Sequence, residues 1–564
     1  MNLNLKATDQ NTYDAIVVGS GISGGWAAME LTKQGIKTLL IERGRNVEHI
    51  KDYPTANLKP WEYAHRGRLT ASEAGHFQLQ NKNYAVNEFN QHFYVNETEQ
   101  PYVQTLNQAF VWARGNQVGG RSLTWGRQCY RWSDLDFTAN LKEGIGVDWP
   151  IRYQTLAPWY EHVEKFVGIA GQSEHLAHLP DSVFLPPFAL NCVELNLKAK
   201  LEAAYPDRYL IHARVAHLTQ YVAGRGQCQA RNQCDQGCPY GGYFASNSAT
   251  IPQAQQTGNL TLRTDSIVTK VIYDETSQRA KGVEVLDTAT GQTVTYFARI
   301  IFLNASTIPT TTLLLNSTSA RFPNGMGNDS GELGRNLMTH FKTGLRGIMP
   351  GFADRYTSGR RPSGAYIPRF RNVASNDAPF LRGYNYQGGA ARLRPSEETV
   401  GFGADWKELM SRPADDWQVG FAAFGEQLPH PDNRVKVSGT VRDKWGLPVP
   451  EIDWEWKANE LQMAQDSVEQ GLEMMAQMGC EDLHGNVNEL PKSTVHEMGT
   501  ARMGRNPNTS VLNGFNQLHA VKNVFVTDGA CMASSSCVNP SLTYMALTAR
   551  ACAHAAEEMK RGNL

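Results

Sequence analysis

Two stretches hold residues able to do chemistry outright. In Ser493 to Gly504 (STVHEMGTARMG), His496 offers an imidazole that titrates near neutrality and can take a proton, although a histidine in a loop, taken alone, is more often structural. Further on, Asn539 and Pro540 open the helical run NPSLTYMALTARACAHAAEEM, with proline in the first turn, where its missing amide proton costs nothing. The amino end of such a helix stabilises negative charge of the kind a reduced cofactor develops. In Gln227 to Gly242 (QCQARNQCDQGCPYGG), Cys228, Cys234 and Cys238 stand as C-x5-C-x3-C, with Pro239 after the last. Three soft thiolates on one short loop can share an iron-sulfur cluster, whereas zinc wants a fourth cysteine or histidine that this loop does not offer. Three free thiols in a surface loop are the alternative.

These groups need a frame, and the amino-terminal stretch YDAIVVGSGISGGWAAMELTKQGIKTLLIER (Tyr13 to Arg43) supplies one. Asp14 to Val18 reads as a short buried strand, because Ile16, Val17 and Val18 are consecutive β-branched residues. Gly19, Gly21 and Gly24 then fill G-x-G-x-x-G: a tight turn, close backbone approach to a pyrophosphate, and helix against strand. A helix from Ile22 to about Gln34 aims its amide end at the phosphates, and Gly35 closes it. Lys37 to Ile41 reads as a second buried strand, ending at Glu42, where a carboxylate can take both hydroxyls of an adenosine ribose. The pattern predicts a bound dinucleotide without separating FAD from NAD. A glycine-then-hydroxyl loop, Gly119 and Gly120 followed by Ser122 and Thr124, suits close approach to a flat or phosphorylated ligand, and equally suits a turn before a strand.

The chain has 564 residues, 41% of them hydrophobic, enough for a sizeable core. Lys plus Arg (54) balances Asp plus Glu (55), so nothing points to nucleic acid or an anionic membrane, and no apolar run approaches the length of a membrane span. Met1 to Gln10 lacks the basic start and apolar run of a signal peptide. Nine cysteines, an odd number over a long chain, argue against a disulfide framework. Residues 46–105 lose periodicity and become rich in Asn, Gln, His and aromatics, which fits a lid or partner surface or a plain insertion. From Leu260 the strand pattern resumes over Leu260 to Arg263, Ile267 to Tyr273, Ala280 to Asp287 and Thr293 to Asn304, followed by an apolar helix from Pro309 to Leu315. LGRNLMTH (333–340) reads as an exit from that domain. Strand-like runs at Trp417 to Phe424, Arg434 to Ser438 and Glu451 to Trp456, with an amphipathic helix over Asn459 to Met478, suit an antiparallel sheet on the substrate side. The fold class is therefore α/β, a Rossmann-like dinucleotide-binding domain interleaved with an α+β substrate domain built on an antiparallel sheet. Its expected division is 1–50, 111–147, 241–344 and 490–564 for the first domain, 51–110 for the lid or insertion, and 148–240 with 345–489 for the second, including the cysteine loop 227–242.

Together these pieces resemble the glucose-methanol-choline family of flavoprotein oxidoreductases. The matching stretches are GSGISG (19–24), the glycine loop at 119–126, HEMGTARMG (496–504), and DGA (528–530) followed by NPSLTYMALTARA (539–551), in family order along nearly the whole chain. Within the family, the cysteine loop is similar to that of bacterial membrane-linked sugar dehydrogenases whose flavin subunit carries a three-cysteine 3Fe-4S cluster. YDAIVVGSGISGGWAA, ERGRNVEHIKDYPTA and HEMGTARMG are similar to glucoside 3-dehydrogenases, which oxidise the C3 hydroxyl of glucosides to a keto sugar. The resemblance implies FAD, His496 as catalytic base and Asn539 at the second active-site position. It implies a cofactor shell of Gly19, Gly21, Ile22, Ser23, Gly24, Glu42, Arg43, Gly119, Gly120, Ser122, Thr124, Val268 (against the adenine), Ala305, Asp528, Gly529, Asn539, Pro540 and Thr543, with Cys228, Cys234 and Cys238 on the cluster. The glycine loop has no histidine, so noncovalent FAD is expected. The implied partners are a sugar substrate, a small subunit exported by a twin-arginine signal and a cytochrome c. That places the enzyme in the periplasm by co-export, with a cytoplasmic location as the alternative. An oxidase that forms peroxide without a cluster, and a non-catalytic flavin-binding subunit, are the competing functional readings.

Overall fold

The computed structural model describes residues 11–82, 86–106, 110–352, 364–392, 401–411, 417–485, 493–494 and 496–564. Its first sheet has seven strands. Strand β1 (Thr12–Val18), helix α1 (Ile22–Lys33) and β2 (Thr38–Ile41) form the predicted unit, and β3 (Leu260–Arg263) lies parallel on the outer edge of β2. An antiparallel run, β4 (Ser266–Asp274), β5 (Arg279–Asp287) and β6 (Thr293–Leu303), brings the chain back beside β1, which β6 joins in parallel. The far edge of β6 is divided: β5 pairs with Thr293–Phe297, and the short strand Val524–Val526 pairs in parallel with Ile301–Leu303. Helix α2 (Thr307–Asn316) follows β6. Ala15, Ile16, Val17, Leu40, Ile300 and Ile301 are fully buried, which is why these strands read as unbroken apolar runs.

The second sheet has six strands, all antiparallel. β7 (His340–Met349), β8 (Tyr384–Arg392) and β9 (Trp417–Glu426) form its centre, with β9 between the other two. Glu481–Gly485 extends one edge, and Ala365–Ile367 and Ile211–His212 extend the other. Helix α3 (Ala458–Gln477) covers one face with Met463, Ala464, Val468, Met474 and Met475, against Leu345, Tyr386, Val419 and Phe421. Helix α4 (Ser541–Lys560) returns to the first sheet and packs on α1 and on the helix Tyr153–Val167. No helix among the described residues is long and apolar enough to cross a membrane.

The structure departs from the sequence pattern most in the second sheet. His340, read as the tail of a connecting segment, is the first residue of β7 and pairs with Glu426. β7 and β8 escape the pattern because Gly344, Gly347, Gly388 and Gly389 interrupt their apolar alternation. The strand expected over Glu451 to Trp456 runs Pro448–Asp453, set by its pairing with Arg434–Arg442. The irregular 51–68 region packs on the cysteine loop: Arg231 donates to the Ala56 carbonyl, Gln233 Nε2 to the Leu58 carbonyl at 2.5 Å, and Tyr53 packs against Gly237.

The closest backbone approach in the first sheet explains one glycine. A Cβ on Gly24 would lie 1.8 Å from the Gly19 carbonyl oxygen, so α1 seats on the turn only with hydrogen there. Gly24→Ala is expected to destabilise the protein by about 2–4 kcal/mol, read as a lowered denaturant midpoint. Gly21→Ala, whose methyl would meet nothing within 4 Å, should leave the midpoint of the cofactor-free protein unchanged.

Candidate active site

The dinucleotide end is built from the carboxyl ends of β1 and β2. Gly19 turns the chain at φ 92°, and Gly21 caps α1 without a side-chain hydrogen bond, leaving the first amides of the helix open. Glu42 Oε2 accepts from Ser20 Oγ at 2.5 Å and from the Ser20 amide at 3.1 Å, while Oε1 accepts from the Gly44 amide at 3.1 Å. Burial pushes the Glu42 carboxyl upward and these donors oppose it. Ser20 Oγ in turn accepts from the Gly119 amide at 3.1 Å, and Gly120 packs on Gly21. Ser122 Oγ donates to the Gly119 carbonyl at 2.5 Å and accepts from the Ser246 amide at 2.9 Å. The Ser266 amide donates to the Glu42 backbone carbonyl at 3.0 Å, which sets the start of β4, the strand that carries Val268, against the end of β2. Gly19, Gly21, Gly24, Glu42, Gly119, Gly120, Ser122 and Val268 thus share one locality. Ile22 and Ser23 lie in the first turn of α1, and Thr124 ends the short turn over Gly120–Leu123. Arg43 is turned to Asp443 at 2.6 Å, and Thr543 Oγ1 is bonded to the Tyr160 hydroxyl at 2.8 Å.

A second group joins this cradle to the reacting end. The Ala305 amide donates to Thr310 Oγ1 at 3.0 Å, Thr310 donates to Asp528 Oδ2 at 2.6 Å, and burial raises the Asp528 carboxyl to about 6. Gly529 lies against the Glu497 carbonyl, next to His496, and the Arg121 guanidinium reaches from the glycine loop to Glu497 at 2.8 Å. Asn304 Nδ2, Asn247 Oδ1 and Tyr544 Oη are buried polar atoms without a hydrogen-bond partner. Asn304 flanks Gly19 and Gly24, Asn247 flanks Gly119, and Tyr544 flanks Gly529. Orphaned donors and acceptors around glycine turns fit a polar group such as FAD seated along this line.

At the reacting end, His496 Nδ1 meets His340 Nδ1 at 3.0 Å, the rings standing edge to face, and His340 Nε2 meets the Ser535 carbonyl at 3.2 Å. Burial, with His340, Arg121 and Lys342 nearby, holds His496 well below the usual histidine range, and burial pushes His340 down to about 4. Both imidazoles are neutral at pH 7. Asn539 Oδ1 accepts from Gln387 Nε2 at 2.7 Å, Gln387 also donates to Asn385 Oδ1 at 3.2 Å, and Asn385 Nδ2 donates to the Cys537 carbonyl. Phe424, paired with Asn385 in the sheet, has its ring 6.2 Å from that of His496. His496 and Asn539 are therefore tied to one short segment, 535–539, and Pro540 caps the helix that leaves it.

Two family models described as GMC oxidoreductase match residues 13–342 and 429–548. The chain belongs to the GMC oxidoreductase family. It is 27% identical to 2-methyl-1,2-propanediol dehydrogenase of Mycolicibacterium austroafricanum, over 96% of this chain and 95% of that one. It is 25% identical to the fructose dehydrogenase large subunit of Gluconobacter japonicus, over 97% and 98%. Formate oxidase superposes with a TM-score of 0.61 at 15% identity, over 98% of this chain and 100% of that one, which shows the shared fold. This GMC oxidoreductase is accordingly an FAD-dependent enzyme acting on CH–OH donors.

The cysteine loop sits beside this frame. Cys228, Cys234 and Cys238 line one small cavity with His217, Gly242 and Tyr243. Cys228 Sγ accepts from the Ala230 amide and Cys238 Sγ from the Gly242 amide, each at 3.4 Å, and His217 Nε2 lies 3.7 Å from Cys234 Sγ. Burial pushes Cys228 up to about 11 and raises Cys234. Among the described residues no three His, Cys, Asp or Glu side chains are arranged to hold a single metal ion.

Sequence reasoning missed His340, Gln387, Asn385 and Arg121. His340 stands in the quoted LGRNLMTH, but a histidine ahead of a strand has no local mark of its partner, and Gln387 is a polar residue in a glycine-rich run. The low proton affinity of His496 gives a pH dependence. With His496 as the proton acceptor of turnover, protonation would silence it, so as pH falls the rate should hold through the ordinary histidine value of 6.5 and drop only below it, read as the acid limb of kcat/KM with an artificial electron acceptor.

Proposed function

We propose that this GMC oxidoreductase is a sugar dehydrogenase that oxidises a secondary hydroxyl, at C3, of a glucoside or related sugar to a keto sugar. The observation that carries the proton-transfer half of this reading is the half-buried, neutral imidazole of His496, bonded to the buried His340 beside the segment that holds Asn539. FAD, when bound, supplies the hydride acceptor. His496 takes the hydroxyl proton and Asn539 hydrogen-bonds the same oxygen, so the reacting C–H stays in line as the bond breaks. Gly19, Gly21, Gly24 and Glu42 would hold the adenosine and pyrophosphate, with Val268 on the adenine side. Gly120, Ser122, Ala305, Asp528, Gly529 and Pro540 would hold the ribityl and flavin part. The sugar dehydrogenases among the relatives, fructose dehydrogenase large subunit and gluconate 2-dehydrogenase flavoprotein, support the substrate class.

The three thiols on one cavity, two of them accepting backbone amides, support an iron-sulfur cluster on Cys228, Cys234 and Cys238. Such a cluster, of the 3Fe-4S type, would lead electrons out to a cytochrome c or quinone. This reading goes with a small co-exported subunit and a periplasmic location. A second reading, an oxidase reducing dioxygen to peroxide, is favoured by the oxidases among the relatives, including paromamine 6'-oxidase of Streptomyces fradiae at 25% identity.

His496→Ala should keep FAD and fold while losing roughly 10²–10⁴ in the rate of anaerobic flavin reduction by sugar, followed by absorbance. For the electron route, iron and acid-labile sulfide should co-purify with the flavin and disappear in Cys234→Ser. Rapid reoxidation by air with stoichiometric peroxide, in protein free of iron, would establish the oxidase instead.

A further inference from the structure

We propose that two hydrogen-bond relays, both anchored on backbone carbonyls of the segment 535–537, set the polarity of the reacting pair. His340 and Gln387 act as positioning residues that leave His496 Nε2 an acceptor and Asn539 Nδ2 a donor. This rests on the reading that His496 and Asn539 face the substrate hydroxyl.

The first relay is forced by the chemistry of a carbonyl. The Ser535 oxygen can only accept, so His340 Nε2, 3.2 Å away, carries the proton. His340 is buried and neutral, so its Nδ1 is then bare. That bare nitrogen faces His496 Nδ1 at 3.0 Å, and a hydrogen bond there needs the proton on His496 Nδ1. His496 Nε2 is left with its lone pair. In the other tautomer two lone pairs would face each other at 3.0 Å in a buried site, and the hydrogen bond would be lost.

The second relay runs the same way with amides. The Cys537 carbonyl accepts from Asn385 Nδ2, so Asn385 presents Oδ1 to its neighbour. Gln387 Nε2 donates to that Oδ1 and to Asn539 Oδ1, at 3.2 and 2.7 Å. Asn539 is thereby turned with Nδ2 outward. One carbonyl ends in an acceptor and the other in a donor, which are the two partners an alcohol group needs. As the substrate O–H bond breaks, its proton goes to His496 Nε2. The Nδ1 proton stays on His496, and its hydrogen bond to His340 becomes charge-assisted. His340 gains no proton.

The relays separate two substitutions of similar size. His340→Asn keeps an acceptor near the Nδ1 position, whereas His340→Gln keeps a donor near the Nε2 position and no acceptor for His496. Measured as anaerobic flavin reduction in the FAD-loaded protein, His340→Asn should stay within about 10-fold of the parent. His340→Gln should lose roughly 10²–10³-fold in the limiting rate with KM changed little. Gln387→Glu, which when ionised can donate to neither neighbouring oxygen, should lose rate likewise. A readout independent of turnover is the nitrogen spectrum of protein labelled with 15N-histidine, assigned with His496→Gln and His340→Asn. His496 should show a protonated Nδ1 and an unprotonated Nε2, inverting or averaging in His340→Gln. A protonated Nε2 on His496 in the parent, or equal losses in the asparagine and glutamine variants, would overturn the proposal. The expected tautomer in a protein whose flavin no sugar reduces would leave the relay standing and sink the functional reading.

Discussion

The structure depends on one demanding constraint: the irregular segment 530–540 is buried between the two sheets, and its backbone polar groups need partners without water. Residues 530–539 are all buried, yet the segment has only one short turn, Gly529–Cys531, at its start. Elsewhere its groups are claimed from both sides. Asn140 Nδ2 donates to the Ala533 carbonyl at 2.9 Å, Trp149 Nε1 to Ser534 Oγ at 2.8 Å, and Ser536 Oγ donates to Asp136 at 2.7 Å. Ser535 Oγ exchanges hydrogen bonds with the backbone of Gln427, just past β9. A buried loop of this kind is costly unless such partners exist, so its presence fixes how the sheets meet.

Charge sustains the same junction. Arg382, fully buried, bonds Asn140 Oδ1 at 2.7 Å, Glu143 at 2.5 Å and Glu426 at 2.9 Å. Glu426 is the residue paired with His340 in the sheet, and burial lifts its carboxyl to about 7 against the pull of Arg382. Replacing Arg382 would leave the buried Glu426 carboxyl without its cation, whereas replacing Glu426 would leave the guanidinium only Glu143 as a counter-charge. The guanidinium therefore holds Asn140, and through it Ala533, in the place from which the carbonyls of Ser535 and Cys537 reach the site. Neutral imidazoles complete the pattern. Burial holds both His340 and His496 below the usual histidine range, so neither adds a charge to this junction.

The dinucleotide unit was legible because local rules and tertiary structure agree there. Consecutive β-branched residues, spaced glycines and a terminal acid predict β1, α1, β2 and Glu42, and β3 to β6 follow within a residue or so. The substrate sheet was only partly legible. Glycines break the alternation of β7, HFKTGLRGIM, and of β8, YNYQGGAAR, so their strand character lies in pairing with β9 rather than in propensity. His496, Asn539 and the three cysteines stood out in the sequence as residue types and spacings, and the structure ties the first two to one segment and sets the three thiols on one cavity. His340 was not, because its bond to His496 spans 156 residues and exists only once the second sheet has formed.

The glycine loop explains why the thiols and the dinucleotide cradle are neighbours. At its start Gly119 and Gly120 rest on Ser20 and Gly21. A few residues later the Leu123 carbonyl accepts from the Tyr243 hydroxyl at 2.7 Å, and Arg127 donates to the Cys234 carbonyl at 2.9 Å while stacking on the Tyr243 ring. Arg127 is buried and also pairs with Asp235, so the cysteine loop cannot shift without moving a charge already out of water. Its guanidinium also favours negative charge on Cys234. One stretch of nine residues, 119–127, is thus held by the phosphate-binding turn at one end and by the sulfur-bearing loop at the other. A change in the seating of the cradle has a rigid, hydrogen-bonded path to the thiols. The same path ties the partly exposed cysteine loop to the glycine turns at the end of β1.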